Sequence, residues 1–202
     1  MFTWLDEDLP PKRTHPWAFA EGRPDLIYYD FKKNPEKIRE VLEDFKPLEH
    51  YPAIQKYYDL LEWLNGESSI FETNDCTLSQ LEIHQDPPPM IPLVSPIGIH
   101  GRLTIIYRNL ELNTQETDID WLSGSLLRVL SAIPKFHAVV KIGLWQHRFT
   151  AIGKAGNAIS LRFWAWGSDE DQAMTNLGGV FEALHKTLRA LSMRHARQSQ
   201  GM

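Results

Sequence analysis

One cysteine, Cys76, stands in the whole chain. A lone thiol forms no internal disulfide, which fits a reducing compartment and sets a cytoplasmic location as the expectation. No run of about 18 apolar residues occurs, so no membrane-crossing helix is predicted. The N-terminal residues carry acids at Asp6, Glu7 and Asp8 and lack the basic and apolar blocks of an export leader. Metal-ligand spacing is missing too. His84, His100, His137 and His147 are scattered, with no His-Glu-x-x-His or Cys-x-x-Cys pattern, so no metal and no cofactor are expected.

Catalytic signatures are equally scarce. Ser123, Gly124 and Ser125 lack the spacing of a nucleophile elbow and fall within a predicted helix. Gly178 and Gly179 also fall mid-helix, where they read as positions of close packing and not as a phosphate loop. Cys76, His84 and Asp86 supply the residue types of a thiol nucleophile, its base and an orienting group. Such catalysis needs hydrogen-bond reach and an oxyanion site, and the plain reading is a small buried cysteine beside a loop histidine.

Bases are nearly absent from one region. Residues 51–100 hold Lys56 alone against seven acids: Asp59, Glu62, Glu67, Glu72, Asp75, Glu82 and Asp86. Residues 1–100 carry a net −9 and residues 101–202 a net +4. An acidic belt repels phosphate and attracts basic partners, although a solvated acidic face is the simpler account. Lys186, Arg189, Arg194 and Arg197 give the last predicted helix a basic end. That suits the negative pole of the helix dipole and is too small for a nucleic-acid face. Neither nucleic acid nor membrane is expected as a partner.

What the chain does have is core material. Of its 202 residues 43% are hydrophobic, including seven Trp and nine Phe, enough for one well-filled α+β domain. Residues 1–33 form a proline-interrupted, irregular arm whose aromatics, Trp4, Trp17, Phe19, Tyr28, Tyr29 and Phe31, argue for packing against the body or a partner. A helical hairpin is predicted over 34–66, with Asn34 as cap, Pro35 at the first turn and Asn65-Gly66 as the stop. Residues 67–192 are the sheet–helix body and 193–202 a loose tail. Ser69 to Ile83 alternates poorly, and Gln85 to Pro96 is a proline-rich loop.

The body repeats one pattern, an alternating strand followed by a capped amphipathic helix. In the first copy Leu103, Ile105 and Tyr107 alternate, Thr117 caps, and Ile119, Leu122, Leu126, Val129, Leu130 and Ile133 form the stripe. In the second, Ala138 to Leu144 and Ile159 to Ala165 alternate about a hairpin turn at Lys154–Asn157. Ser168 then caps a helix striped by Ala173, Leu177, Phe181, Leu184 and Leu188. These features predict a mainly antiparallel sheet with two long helices on one face. Trp164 and Trp166 fall on the opposite phase, so a second cover is expected, with the arm and the helical hairpin as candidates for it.

The leading expectation is a non-enzymatic protein-binding module of inhibitor or immunity type. Its seven acids would recognise a basic toxin or effector. The alternative is a small enzyme or ligand-binding domain with an aromatic-lined pocket near Trp164 and Trp166.

Overall fold

In a computed structural model, residues 1–6, 13–16, 29–83, 96–134 and 136–200 are described. In chain order they give β1 (Phe2–Asp6), β2 (Arg13–His15), α1 (Lys37–Val41), a 3₁₀ turn (Glu43–Leu48) and α2 (Pro52–Asn65). Next come β3 (Phe71–Leu78), β4 (Glu82–Ile83), β5 (Ile97–Tyr107), a second 3₁₀ turn (Leu110–Thr114) and α3 (Glu116–Ser131). The chain closes with β6 (Ala138–Phe149), β7 (Lys154–Gly167) and α4 (Glu170–Gln200). The α+β reading holds: one seven-stranded sheet, mostly antiparallel, carries two long helices.

The strand order is β1-β6-β7-β5-β3, with β2 continuing the β1 edge along β6 and β4 continuing the β3 edge along β5. Among the described strands only β1 and β2 run parallel to their neighbour. These two strands lie within the N-terminal arm, so the arm extends the sheet edge where it is described.

Alternation sorts the strands into two faces. Leu103, Ile105 and Tyr107 of β5, Ala138, Val140 and Ile142 of β6, and Ile159, Leu161 and Phe163 of β7 all enter one main core. Helices α2, α3 and α4 supply its other half through Tyr57, Leu61, Leu122, Leu126, Leu177 and Phe181. Tyr57 stacks on Phe181 at 4.1 Å and meets Phe163 edge-on at 5.9 Å. The helical hairpin therefore joins α4 on the same side of the sheet and is not the second cover. Tyr57 makes that contact, whereas Tyr58 packs on Phe45 within the hairpin region itself.

Several local readings move. Asn34 and Pro35 do not start α1; Asp30 Oδ1 accepts the amides of Lys32 and Lys33 and folds that stretch as a turn, delaying the helix to Lys37. Gln115, not Thr117, precedes α3, and Val129 turns outward from its stripe, 41% exposed. Asp169, not Ser168, caps α4: its Oδ1 accepts the Gln172 amide at 2.7 Å, while Gln172 Oε1 accepts the Ser168 amide. The β6–β7 turn sits at 150–153, where Gly153 takes φ +67°, a conformation that favours glycine. That leaves Lys154–Asn157 inside β7. Helix α4 runs past Ser192 to Gln200, since no breaker precedes Gly201. Gly178 lies against Ala53 of α2 and Gly179 against Phe136, so the packing expected of them is toward these neighbours. The proline-rich stretch 85–95 and His84 lie outside the described residues.

Candidate functional site

The face turned away from the helices is polar and enclosed. On a flat sheet β3 and β6 would stand three strand spacings apart, about 14 Å. Yet Asn74 of β3 and Nε2 of His147 in β6 are 2.8 Å apart, and Asn74 also meets Nδ1 of His15 in β2 at 2.7 Å. The sheet has curled until its two edges meet, and its polar face lines a nearly closed half-barrel. A β-bulge makes this possible: the β3–β5 register slips between Thr73 and Asp75. The extra residue lets Asn74 and Asp75 both serve the inner face.

The inner face is ordered in rows set by the register. Asp75, Thr104, Ser160 and Gly143 stand side by side across β3, β5, β7 and β6. The Thr104 and Ser160 hydroxyls are buried and have no hydrogen-bond partner among the described residues. The next row is cationic: Arg102 of β5 is opposite Arg162 of β7, which is opposite Lys141 of β6. The row after that holds His100, Trp164 and Val139.

Burial falls from the closed end to the cations. Asn74 and His147 at the closed end are 4% and 2% exposed, whereas Arg102, Arg162, Lys141, His100 and Trp164 are half-buried. The closed end is thus sealed, and the half-buried cations with Trp164 form the more open stretch of the inner face, its mouth, beyond which Val139 and Trp166 are buried again.

Arg102 is fixed in place. Its Nε donates to Asp75 Oδ2 at 2.8 Å, Nη2 reaches the same oxygen, and the guanidinium lies 4.9 Å above the Trp145 ring. A planar cation between a carboxylate and an indole is well held, and its remaining N–H donors keep a defined direction.

The acids predicted as a partner surface divide. Glu72 and Asp75 are buried on the inner face: Glu72 pairs with Lys32 at 2.5 Å and approaches His15 at 3.4 Å, and Asp75 pairs with Arg102. Asp59, Glu67 and Glu82 are exposed and Glu62 is half-buried. Of these, Asp59 and Glu62 share Arg39. Asp86 lies outside the described residues, as does His84, so only Cys76 of the thiol constellation is placed; it is half-buried against the main core.

The two tryptophans also differ. Trp164 is half-buried on the cation side, whereas Trp166 is 1% exposed and stacks on His137 at 6.3 Å. The Trp166 indole N–H has no partner among the described residues. Trp166 shares the face of Trp164 and packs with it and Val139 in a small apolar cluster beyond the cations.

Sequence reasoning missed Arg102, Arg162, Lys141, Trp145 and the His15–Asn74–His147 bridge. A signal was present for the first three. They occupy the off-phase of strands whose other phase is uniformly apolar, and off-phase cations on three strands mark a second face that is not plain core.

Among the described residues no cluster of metal-ligating side chains occurs, and no helix is long and apolar enough to cross a membrane. Comparison with protein-family models, with curated proteins and with solved structures finds no match.

Proposed function

We propose that this protein binds a small anionic ligand carrying a planar group, within the mouth of the half-barrel. The observation that carries this reading is the row Arg102–Arg162–Lys141, three cations directly opposed on neighbouring strands. Like charges set opposite one another in a sheet repel; Asp75 already offsets Arg102, and an anion on the row would add to that compensation. Low-dielectric walls focus the positive potential, which raises the local concentration of anions. Trp164, one row away and half-buried, offers an indole face for stacking. The buried hydroxyls of Thr104 and Ser160 stand one row deeper. A phosphorylated or carboxylated aromatic compound has the complementary parts.

Phenyl phosphate, adenosine monophosphate and inorganic phosphate are suitable probes, read by tryptophan fluorescence and calorimetry. The aromatic phosphates should bind more tightly than inorganic phosphate. Arg162→Glu should weaken them by about tenfold or more, because a charge-assisted contact becomes a repulsive one. Trp164→Ala should remove most of the fluorescence change and the advantage of the aromatic probes. Equal affinity of Arg162→Glu and the parent for every probe defeats the reading.

A second reading, the protein-binding module, is favoured by the exposure of Asp59, Glu67 and Glu82 beside half-buried Glu62. Reversing these four charges should slow association with a partner captured from the host and weaken its salt dependence. Unaltered rates at low and high salt would leave those acids as a solvated surface only.

A further inference from the structure

The closed end of the half-barrel holds a polar chain that neither reading uses. It runs from the Glu72 carboxylate to His15, through the Asn74 amide to His147, and ends on the Trp145 carbonyl. The four contacts are His15 Nε2 to Glu72 Oε1 at 3.4 Å, His15 Nδ1 to Asn74 at 2.7 Å, Asn74 to His147 Nε2 at 2.8 Å and His147 Nδ1 to Trp145 O at 3.1 Å. His15, Glu72, Asn74 and His147 are all buried. Water is thus a poor substitute for any contact that fails.

Counting protons constrains the chain. Both of its ends are acceptors, so each imidazole must donate through its outer nitrogen. The Asn74 amide donates to one inner nitrogen and accepts from the other, whichever way it is turned. Four contacts therefore need three imidazole protons. Two protons leave one contact unmade. Four set an imidazole N–H against the amide N–H. The completed chain carries one imidazolium and one neutral histidine. The amide as placed, with Oδ1 toward His15, makes His15 the cation and His147 neutral with its proton on Nδ1. The Glu72 carboxylate beside His15 favours the same assignment.

We propose that His15, Asn74 and His147 form a proton-loaded clasp that fastens β2 to β3 and β6 and thereby closes the half-barrel. This does not depend on what the mouth binds. The clasp joins an edge strand of three residues to the opposite edge of the sheet, and the β2–β6 pairing covers only Arg13 to His15. So short a pairing depends on side-chain contacts to persist. Losing the third proton breaks a contact in the chain, and gaining a fourth breaks another. Closure is therefore favoured over a band of pH around the imidazole range and weakened on both sides of it.

Among the described residues, the following groups face the clasp. From β3 comes Glu72, and from the segment before α1 comes Lys32, which holds the other Glu72 oxygen at 2.5 Å. From β6 comes the ring of Phe149, about equally far from both imidazoles at 6.0 and 6.1 Å. Arg13 stands opposite His147 in the register. Asp75, next to Asn74, is turned to Arg102. Burial works against ionising Glu72, but hydrogen bonds from His15 and Lys32 more than offset it and hold the carboxyl below its ordinary 4.5. Its stabilising share is present at neutral pH and is lost only as pH falls through that lowered value.

The intact protein with ¹⁵N-labelled histidine gives the test. At about pH 7 the NMR spectrum should show one imidazole doubly protonated and the other neutral with its proton on Nδ1. The Thr150 amide donates to the His15 carbonyl at 3.0 Å, so its hydrogen-exchange protection reports the attachment of β2. That protection, corrected for intrinsic exchange, should fall by about tenfold or more over the next two pH units as a charge-assisted contact is lost. Asn74→Asp supplies an acceptor to both imidazoles and a carboxylate that favours their charged form, so both should be doubly protonated at about pH 7. Two neutral imidazoles in a protein whose Thr150 amide stays protected would overturn the proposal, and so would protection that is flat across the range. The spectrum of the unmodified protein decides the matter even if the variant does not fold.

Discussion

Replacing Phe163 with alanine should remove about 3–5 kcal/mol of stability, the cost of emptying a large buried aromatic site. Phe163 is fully buried and sits where β7, α2 and α4 converge. Its ring meets Tyr57 edge-on at 5.9 Å and Phe181 at 5.1 Å and 85°. Across the strand pair it lies over Gly101, where a Cβ would come within 2.7 Å of the ring and 2.4 Å of the Thr77 carbonyl. Glycine at 101 thus makes room for the ring, and the same bare backbone cannot fill the void that alanine at 163 leaves. The Tyr57–Phe181 stack would lose the wall it leans on. For a chain of this size the melting temperature should drop by roughly 6–20 °C. Val129→Ala, on the outer side of α3, should stay within about 0.5 kcal/mol and serves as the control. A loss below about 1 kcal/mol for Phe163→Ala would mean that the ring is not the keystone of this packing.

That core was legible before any coordinates. Phe163 alternates with Leu161 and Ile159, and Phe181 follows Leu177 at helical spacing, so the two periods point both residues inward without long-range information. The inner face was not legible in the same way. Whether Arg102, Arg162 and Lys141 fall in one row depends on three strands meeting in one register, and no local pattern encodes that alignment. The curl of the sheet was hidden for a related reason. It needs an extra residue at Asn74, and the bulge that admits this residue is also what spoils the alternation of β3. The acids show the same limit. Asp59 and Glu72 look equivalent in a charge count, but one lies on the outside of a helix and the other is sealed behind Lys32 and His15. Trp164 and Trp166 share the off-phase of one strand, and the sequence does not distinguish them. Only the sheet's end geometry, with His137 against Trp166, separates the half-buried ring from the buried one.

Arg102→Met should cost about 3 kcal/mol, and most of that cost should vanish when Asp75→Asn is added. The reasoning turns on which partner is buried. The Asp75 side chain is 4% exposed, whereas that of Arg102 keeps 24% of its surface. Removing the arginine strips the forked contact from a carboxylate that water hardly reaches, and breaking a buried pair from one side costs about 3–5 kcal/mol. The low end applies because Arg102 is itself partly solvated. Methionine keeps the length of the stem and can still lie on the Trp145 ring, so the loss reports the charge and its hydrogen bonds more than the packing. Asparagine at 75 is neutral and of similar shape, and beside methionine it leaves no ion to desolvate. A double-mutant cycle by chemical denaturation should therefore give a coupling of about 1–3 kcal/mol. The ligand reading adds a separate expectation. The single and the double variant lack the same cation, so both should bind an aromatic phosphate more weakly than the parent even where the double variant has regained its stability. Stability that is additive across the cycle would show that Asp75 does not depend on Arg102. Full binding by the stable double variant would remove Arg102 from the anion-binding row while leaving Arg162 and Lys141 to be judged on their own.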